Sequence, residues 1–294
     1  MNVSKRVLVG TLFSGENELE SCIASVQQQN YPSLEQIVIK NLPNKEAHDT
    51  LYKTFMNFSH KFDYFIKLDA DMVFKSTDAI ETMISFFARD PNLDHLEMAV
   101  DDRFSNSLIM GVHVFSNRAQ WVASQEKLFV DYNPQIPGKH LRLWEQPAPL
   151  VDHCPNPSPF QAYHFGVHRA LKAFQPLQLE VNYIQARKQW RLLKKVWHHF
   201  LQTQDPRLGL CILGAEQVIN REIDLTHIDY TNPQLQAKFQ EFKTLEAVAL
   251  EEVLLPTWGN LTKREFRHLI QTIPRASLWI IKKLYGKFSG QNGE

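Results

Sequence analysis

The chain has 294 residues, 44% of them hydrophobic and 22% charged, and its 32 basic and 32 acidic side chains cancel to a formal charge of zero. That composition excludes disorder and fibre, and gives enough apolar material for one large domain or a domain plus an appendage. Balanced charge provides no global field for a polyanion, so no nucleic-acid partner is expected.

Taken in order, residues 6–12 read as a short apolar strand, and Ser14-Gly15-Glu16-Asn17-Glu18 supplies a turn and a helix start. Leu19, Cys22, Ile23 and Val26 then recur at helical spacing, Asn30-Tyr31-Pro32-Ser33 breaks that helix, and residues 35–39 form a second strand. This is a β-α-β unit with parallel strands. It contains neither Gly-x-Gly-x-x-Gly nor Gly-Lys-Ser/Thr, so a dinucleotide fingerprint and a P-loop are both absent. Residues 46–58 continue as a helix, with Leu51, Phe55 and Phe58 spaced for burial.

The run Tyr64-Phe65-Ile66-Lys67-Leu68 suits a buried strand, and Asp69 and Asp71 fall at its carboxyl end. Ligands of open α/β sheets bind at that end, in the crevice formed by the loops that leave the strands. Side chains two apart share one side of an extended chain, so both carboxylates can face one Mg²⁺ or Mn²⁺ ion that also holds a diphosphate. An isolated Asp-x-Asp is more often a solvated turn, and the surrounding sequence decides between the two.

Val7 to Thr11, then Asn17-Glu18, then residues 24–39, followed at the right distance by Leu68-Asp69-Ala70-Asp71, resembles the opening of the family 2 glycosyltransferases of the GT-A fold. The match covers roughly the first third of the chain. The resemblance implies a three-layer α/β/α sandwich with a mainly parallel central sheet in residues 1–230, and a helical appendage in residues 231–294. It implies a single-sugar transfer from a nucleotide-sugar donor, UDP-sugar favoured, to a glycan, lipid-linked or other hydroxyl acceptor, with inversion and with Mn²⁺ or Mg²⁺. Thr11, Glu16, Asn41, Lys67 and Asp69 then fall to the donor, and Asp71, Asp69 and His164 to the metal, with His168 an alternative to His164. Where the family commonly has an Asp-rich turn after the second strand, this chain has Lys40-Asn41-Leu42-Pro43-Asn44. An amide at Asn41 can replace that carboxylate, and Lys40 can meet phosphate.

Residues 77–88 read as a helix, and residues 95–100 and 108–115 as strands, with Asp101 and Asp102 in the turn between them. Residues 133–159, rich in proline, read as a long irregular acceptor-side loop in which Trp144 can stack on a sugar and Arg142 or Lys139 can meet a phosphate. Asp152 and His153, in the same loop, have metal-ligand chemistry without a supporting spacing. Gln161 to Ala170 resembles the family's second core segment, a strand passing Gly166 into a helix. Residues 181–202 form an amphipathic helix with a basic face of Arg187, Arg191, Lys194 and Lys195. Leu208 to Gln217 resembles the family's small-residue turn before a helix, which makes Glu216 the candidate catalytic base.

Residues 233–254 and 262–273 read as helices, and Pro274 starts a last one in which Ile280, Ile281 and Leu284 alternate with Lys282 and Lys283. A peripheral contact with anionic lipid is one reading of that tail and of the basic helix. Three cysteines, Cys22, Cys154 and Cys211, stand far apart and without paired spacing, against a disulfide framework or a zinc site. Met1 to Arg6 shows no leader pattern and no run reaches spanning length, so a cytoplasmic place, or one at the inner membrane face, is expected. Two other readings fit parts of the pattern. Asp69-Ala70-Asp71-Met72-Val73 also fits the signature of haloacid-dehalogenase-type phosphatases, although that family places it on the first strand. A non-catalytic nucleotide- or sugar-binding module of the same fold is suggested by Lys40-Asn41 and Gln217.

Overall fold

The computed structural model describes residues 5–122, 133–226 and 229–289. They form two compact units, Met1–Ser158 and Pro159–Glu294. The boundary expected after residue 230 falls inside the second.

The first unit opens as the sequence predicts, with β1 (Val7–Phe13), α1 (Leu19–Gln27), β2 (Leu34–Lys40), α2 (Asn44–Asn57) and β3 (Tyr64–Lys67). It continues with β4 (Met72–Phe74), α3 (Ala79–Arg89), β5 (Leu93–Asp102), β6 (Ser107–Ser116), β7 (Gln120–Val122), β8 (Asn133–Gln135), β9 (Lys139–Leu143) and β10 (Val151–His153). The main sheet runs β2-β1-β3-β6-β5-β10-β4, with β9 also paired to β5, and β7 and β8 form a separate ribbon. β1 is parallel to β2 and β3, and β5 to β9 and β10. β6 is antiparallel to both β3 and β5, and β10 to β4. The sheet is therefore mainly parallel, as expected, but mixed: four of its strand pairings are parallel and three antiparallel. The hairpin β5–β6 causes the reversal, since a short turn can join only antiparallel strands.

Alternation along the strands feeds two cores. Val7, Val9, Ile66 and Leu68 face Cys22 and Val26 of α1 and Ile80, Met83 and Phe87 of α3. Leu8, Leu12, Phe65 and Phe115 face Leu51, Tyr52 and Phe55 of α2 and Trp121. A strand with both faces buried needs this period of two, and each large side chain so buried contributes roughly 1.5–3 kcal/mol. The first unit is thus a three-layer α/β/α arrangement.

The proline-rich segment departs from expectation. It contributes β9 and β10 to the main sheet, and β8 to the ribbon with β7. Arg142 reaches Glu97 on β5 at 2.5 Å and Lys139 reaches Asp90 at 3.0 Å, so both cations are engaged inside the unit rather than offered to an acceptor. Trp144 keeps 46% exposure.

The second unit is helical: α4 (Pro159–Phe174), α5 (Tyr183–Thr203), α6 (Pro206–Asn220), α7 (Pro233–Gln240), α8 (Ala247–Trp258) and α9 (Leu261–Ser289). No strand precedes Gly166, and no turn lies at Gly214-Ala215. Both segments are helix interior, because their small residues serve a helix-helix contact. A Cβ on Gly166 would stand 1.7 Å from the carbonyl oxygen of Cys211, and one on Gly214 would stand 2.2 Å from that of Tyr163. The backbones of α4 and α6 touch, and only glycine permits it. Gly166→Ala or Gly214→Ala is expected to lower the melting temperature and to cost at least the roughly 1–3 kcal/mol of ordinary overpacking, since the obstacle is backbone. Thermal unfolding at the wild-type temperature would contradict this close approach.

The helix expected over residues 233–254 is divided by a break between α7 and α8, whereas Pro274 does not interrupt α9. The inner face of α9 carries Arg264, His268, Thr272 and Ala276 at four-residue spacing, all buried, and this stripe carries the helix through the proline. Arg187 and Lys194 of α5 each pair with Glu265 of α9 at 2.9 Å, so part of the expected basic face is neutralised within the unit.

Candidate metal and donor site

Asp69 and Asp71 sit at the carboxyl end of β3, in the turn to β4, where Met72 N donates to Asp69 O at 2.9 Å. Neighbouring ends of β1 and β2 carry the other expected donor residues. Thr11 is fully buried, and its hydroxyl accepts from Gln36 Nε2 at 3.0 Å. Asn41 follows β2 with a left-handed backbone, φ 57°, a conformation asparagine adopts more readily than most residues. Lys40 lies over the Phe13 ring, its Nζ 5.9 Å from the centroid.

Glu16 folds back on its own turn, with Oε2 accepting from Ser14 N at 2.7 Å and Gly15 N at 3.1 Å. Burial, followed by the charges of Asp71 and Asp69, pushes its carboxyl up to about 7. Lys67 turns the simple two-carboxylate picture into an asymmetric one. Its ammonium lies 2.7 Å from Asp69 Oδ2, so Asp69 pairs with a lysine whereas Asp71 meets His153 and Cys154.

The decisive neighbours of Asp71 come from β10. The antiparallel register places His153 opposite Met72, and the parallel register on its other side places it opposite Asp102. His153 Nδ1 donates to Asp102 Oδ1 at 2.8 Å, while its Nε2 stands 3.4 Å from Asp71 Oδ2. Asp102 is fixed in turn by Ser105, whose backbone N donates to Oδ2 at 2.8 Å and whose hydroxyl also donates there. Cys154 Sγ lies 3.4 Å from the same Asp71 oxygen. Ligand atoms of Asp71, His153 and Cys154 fall within 4.8 Å of one another, the one such group of three or more among the described residues.

The electrostatics follow. Burial alone would raise Asp71, but the His153 imidazole, with Cys154 and Lys67, outweighs it and holds the carboxyl below its ordinary value. Burial would lower His153, but Cys154, Asp71 and Asp102 raise it well above its ordinary value.

These residues fit a divalent ion. Asp69 Oδ1 and Asp71 Oδ1 are buried without a hydrogen-bond partner, a costly arrangement that a cation would relieve. A histidine whose far nitrogen is held by a carboxylate is the usual second-shell pattern of a metal ligand. The Asp71 side chain also keeps 21% exposure, which leaves it open to a ligand.

His153 is the site residue that sequence reasoning left without a role. Its signal was its metal-ligand chemistry, and what was missing was the strand pairing that brings residue 153 beside residue 71. His164 and His168 lie on α4 in the second unit, where the His164 ring meets Phe160, Tyr230 and His168. Glu216 is interior to α6 and buried, and its Oε2 accepts from Trp258 Nε1 at 2.8 Å and from Arg264.

No family model matches the chain, and no curated protein does. Among solved structures it is similar to a mannosyltransferase from Pyrobaculum calidifontis in complex with GDP-Man and Mn²⁺, at 14% identity over 95% of this chain and 88% of that one, with a TM-score of 0.41. It is also similar to TarS from S. aureus, at 10% identity over 86% of this chain and 54% of that one, TM-score 0.34. A197 from STIV matches at 13% identity over 38% of this chain and 65% of that one, TM-score 0.29.

Proposed function

We propose that this protein is a metal-assisted glycosyltransferase that moves one sugar from a nucleotide-sugar donor, UDP-sugar favoured, to a hydroxyl acceptor with inversion. The observation that carries the reading is the Asp71-His153-Asp102 arrangement at the carboxyl ends of β3, β5 and β10, beside two carboxylate oxygens that lack partners. A divalent ion bound there would supply positive charge to offset that of a departing diphosphate. Asp71 and His153 would hold such an ion, Asp102 fixes the imidazole, and Lys67 pairs with the neighbouring Asp69. Asn41 and Lys40, which follow and end β2, would meet the nucleoside and phosphate. His153 takes the role first given to His164.

The phosphatase reading loses ground because Asp69 follows the third strand and is paired to Lys67. Incubating the protein with UDP-, GDP- and CMP-sugars, with and without Mn²⁺ or Mg²⁺, tests the proposal. Metal-dependent transfer or hydrolysis of one donor supports it. Metal-dependent donor binding without any turnover would instead favour the non-catalytic module.

We also propose that α9 lies on an anionic bilayer surface. No described helix is long and apolar enough to cross a membrane. The outward face of α9 nevertheless exposes Phe266, Ile270, Ile273, Leu278, Ile281 and Leu284. Lys263, Arg267 and Lys282 are exposed on the same helix, and it carries no acidic residue after Glu265; the Lys283 side chain lies outside the described residues. Apolar area and basic charge together suit an anionic interface, at about 1 kcal/mol for each basic residue near the surface. Flotation with phosphatidylserine vesicles that weakens with salt is expected. Equal flotation with neutral vesicles would remove the electrostatic part.

A further inference from the structure

His153 and Cys154 are consecutive, and in a continuing strand their side chains would point to opposite faces. Cys154 avoids this because β10 ends at His153 and the next backbone is left-handed, φ 52°. A non-glycine residue in that conformation costs roughly 1–2 kcal/mol. The turn is anchored where Cys154 N donates to Asp71 O at 2.7 Å. Its effect is to swing the thiol to the same carboxylate that the imidazole faces, with Sγ 3.4 Å from Asp71 Oδ2 and 3.6 Å from His153 Nε2.

We propose that Cys154 is a ligand of this metal site, as its thiolate, and that the site therefore prefers a thiophilic divalent ion such as Zn²⁺ or Co²⁺ to Mg²⁺. Cysteine spacing alone argues against zinc, but spacing sees only the cysteines. The fold supplies the other two ligands from residues 71 and 153. Mg²⁺ prefers an all-oxygen set and keeps its waters, whereas one oxygen, one imidazole nitrogen and one sulfur suit the softer ions. On binding, the Cys154 sulfur and His153 Nε2 each exchange a proton for the metal, and both protons pass to solvent. Asp102 and Ser105 complete the design by holding the imidazole in line. The inference rests on the reading that Asp71 holds a metal, but not on any sugar transfer.

Co²⁺ titration of the reduced, full-length protein tests it. A sulfur-to-cobalt charge-transfer band in the near ultraviolet is expected, together with displacement of Co²⁺ by Zn²⁺ but not by equimolar Mg²⁺. Cys154→Ser and Cys154→Ala should both lose the band and the preference. Asp102→Asn should keep the band and weaken Co²⁺ affinity by roughly 10–100-fold. Cobalt bound without the band, or a preference surviving in both Cys154 variants, would overturn the proposal, as would a wild-type protein that binds no Co²⁺. The band without any sugar transfer would support this inference and count against the transferase reading. Mg²⁺-dependent transfer without the band would do the reverse.

Discussion

Asp71→Asn is expected to abolish metal-dependent donor binding while the chain stays folded. The substitution nearly preserves volume but removes the charge that faces His153 Nε2 and Cys154 Sγ on Oδ2 and leaves Oδ1 free for a ligand. Loss of a ligand should exceed the roughly 10–100-fold lost when a second-shell partner is removed. Asp69→Asn should cost less, because Asp69 is already paired with Lys67. Calorimetry with UDP and GDP, with and without Mn²⁺, separates the two variants. If Asp71→Asn bound nucleotide with the wild-type response to metal, the site would have to be placed elsewhere. If Asp69→Asn were the more damaging variant, Lys67 would be acting on the ligand instead of on Asp69.

The strand ends that carry the first half of the proposed site were legible because their information is local. Alternating burial in Val7-Leu8-Val9 and Phe65-Ile66, and the break at Tyr31-Pro32, fix β1, α1, β2 and β3 within a residue or two. Asp69 and Asp71 follow directly from the end of that pattern. His153 and Cys154 were hidden because they reach Asp71 through the β4–β10 pairing, across about eighty residues of chain and a segment whose prolines read as loop. Small residues misled in a different way. Gly166 and Gly214 look like turn signals in their own neighbourhoods, yet each is small because a backbone on the other helix lies against it. Nothing within ten residues of either position carries that information. Arg142 shows a third kind of gap, since a charged side chain in a loop reads as unpaired until its strand partner, here Glu97 on β5, is known.

The same helix interior changes what is expected of Glu216. Its carboxylate is buried, accepts from the Trp258 indole and the Arg264 guanidinium, and so ties α6 to α8 and α9. Both donors meet the same oxygen, Oε2, and both come from the second unit itself. We propose that its role is to hold the second unit together, and Glu216→Gln separates this from the role of general base. The amide can still accept from Trp258 but cannot balance Arg264, which is itself buried and lies over the Trp258 ring. Breaking one side of a buried ion pair costs about 3–5 kcal/mol, so denaturant or thermal unfolding should show a large loss. Replacing both partners, as in Glu216→Leu with Arg264→Met, should recover most of it, because an apolar pair leaves no charge stranded. A general base predicts the opposite pattern: Glu216→Gln folded and near wild-type in stability, with transfer lowered by roughly a hundredfold or more. The double variant then decides between them. Restored stability with transfer intact would make Glu216 a strut, whereas restored stability with transfer still abolished would return it to the reaction.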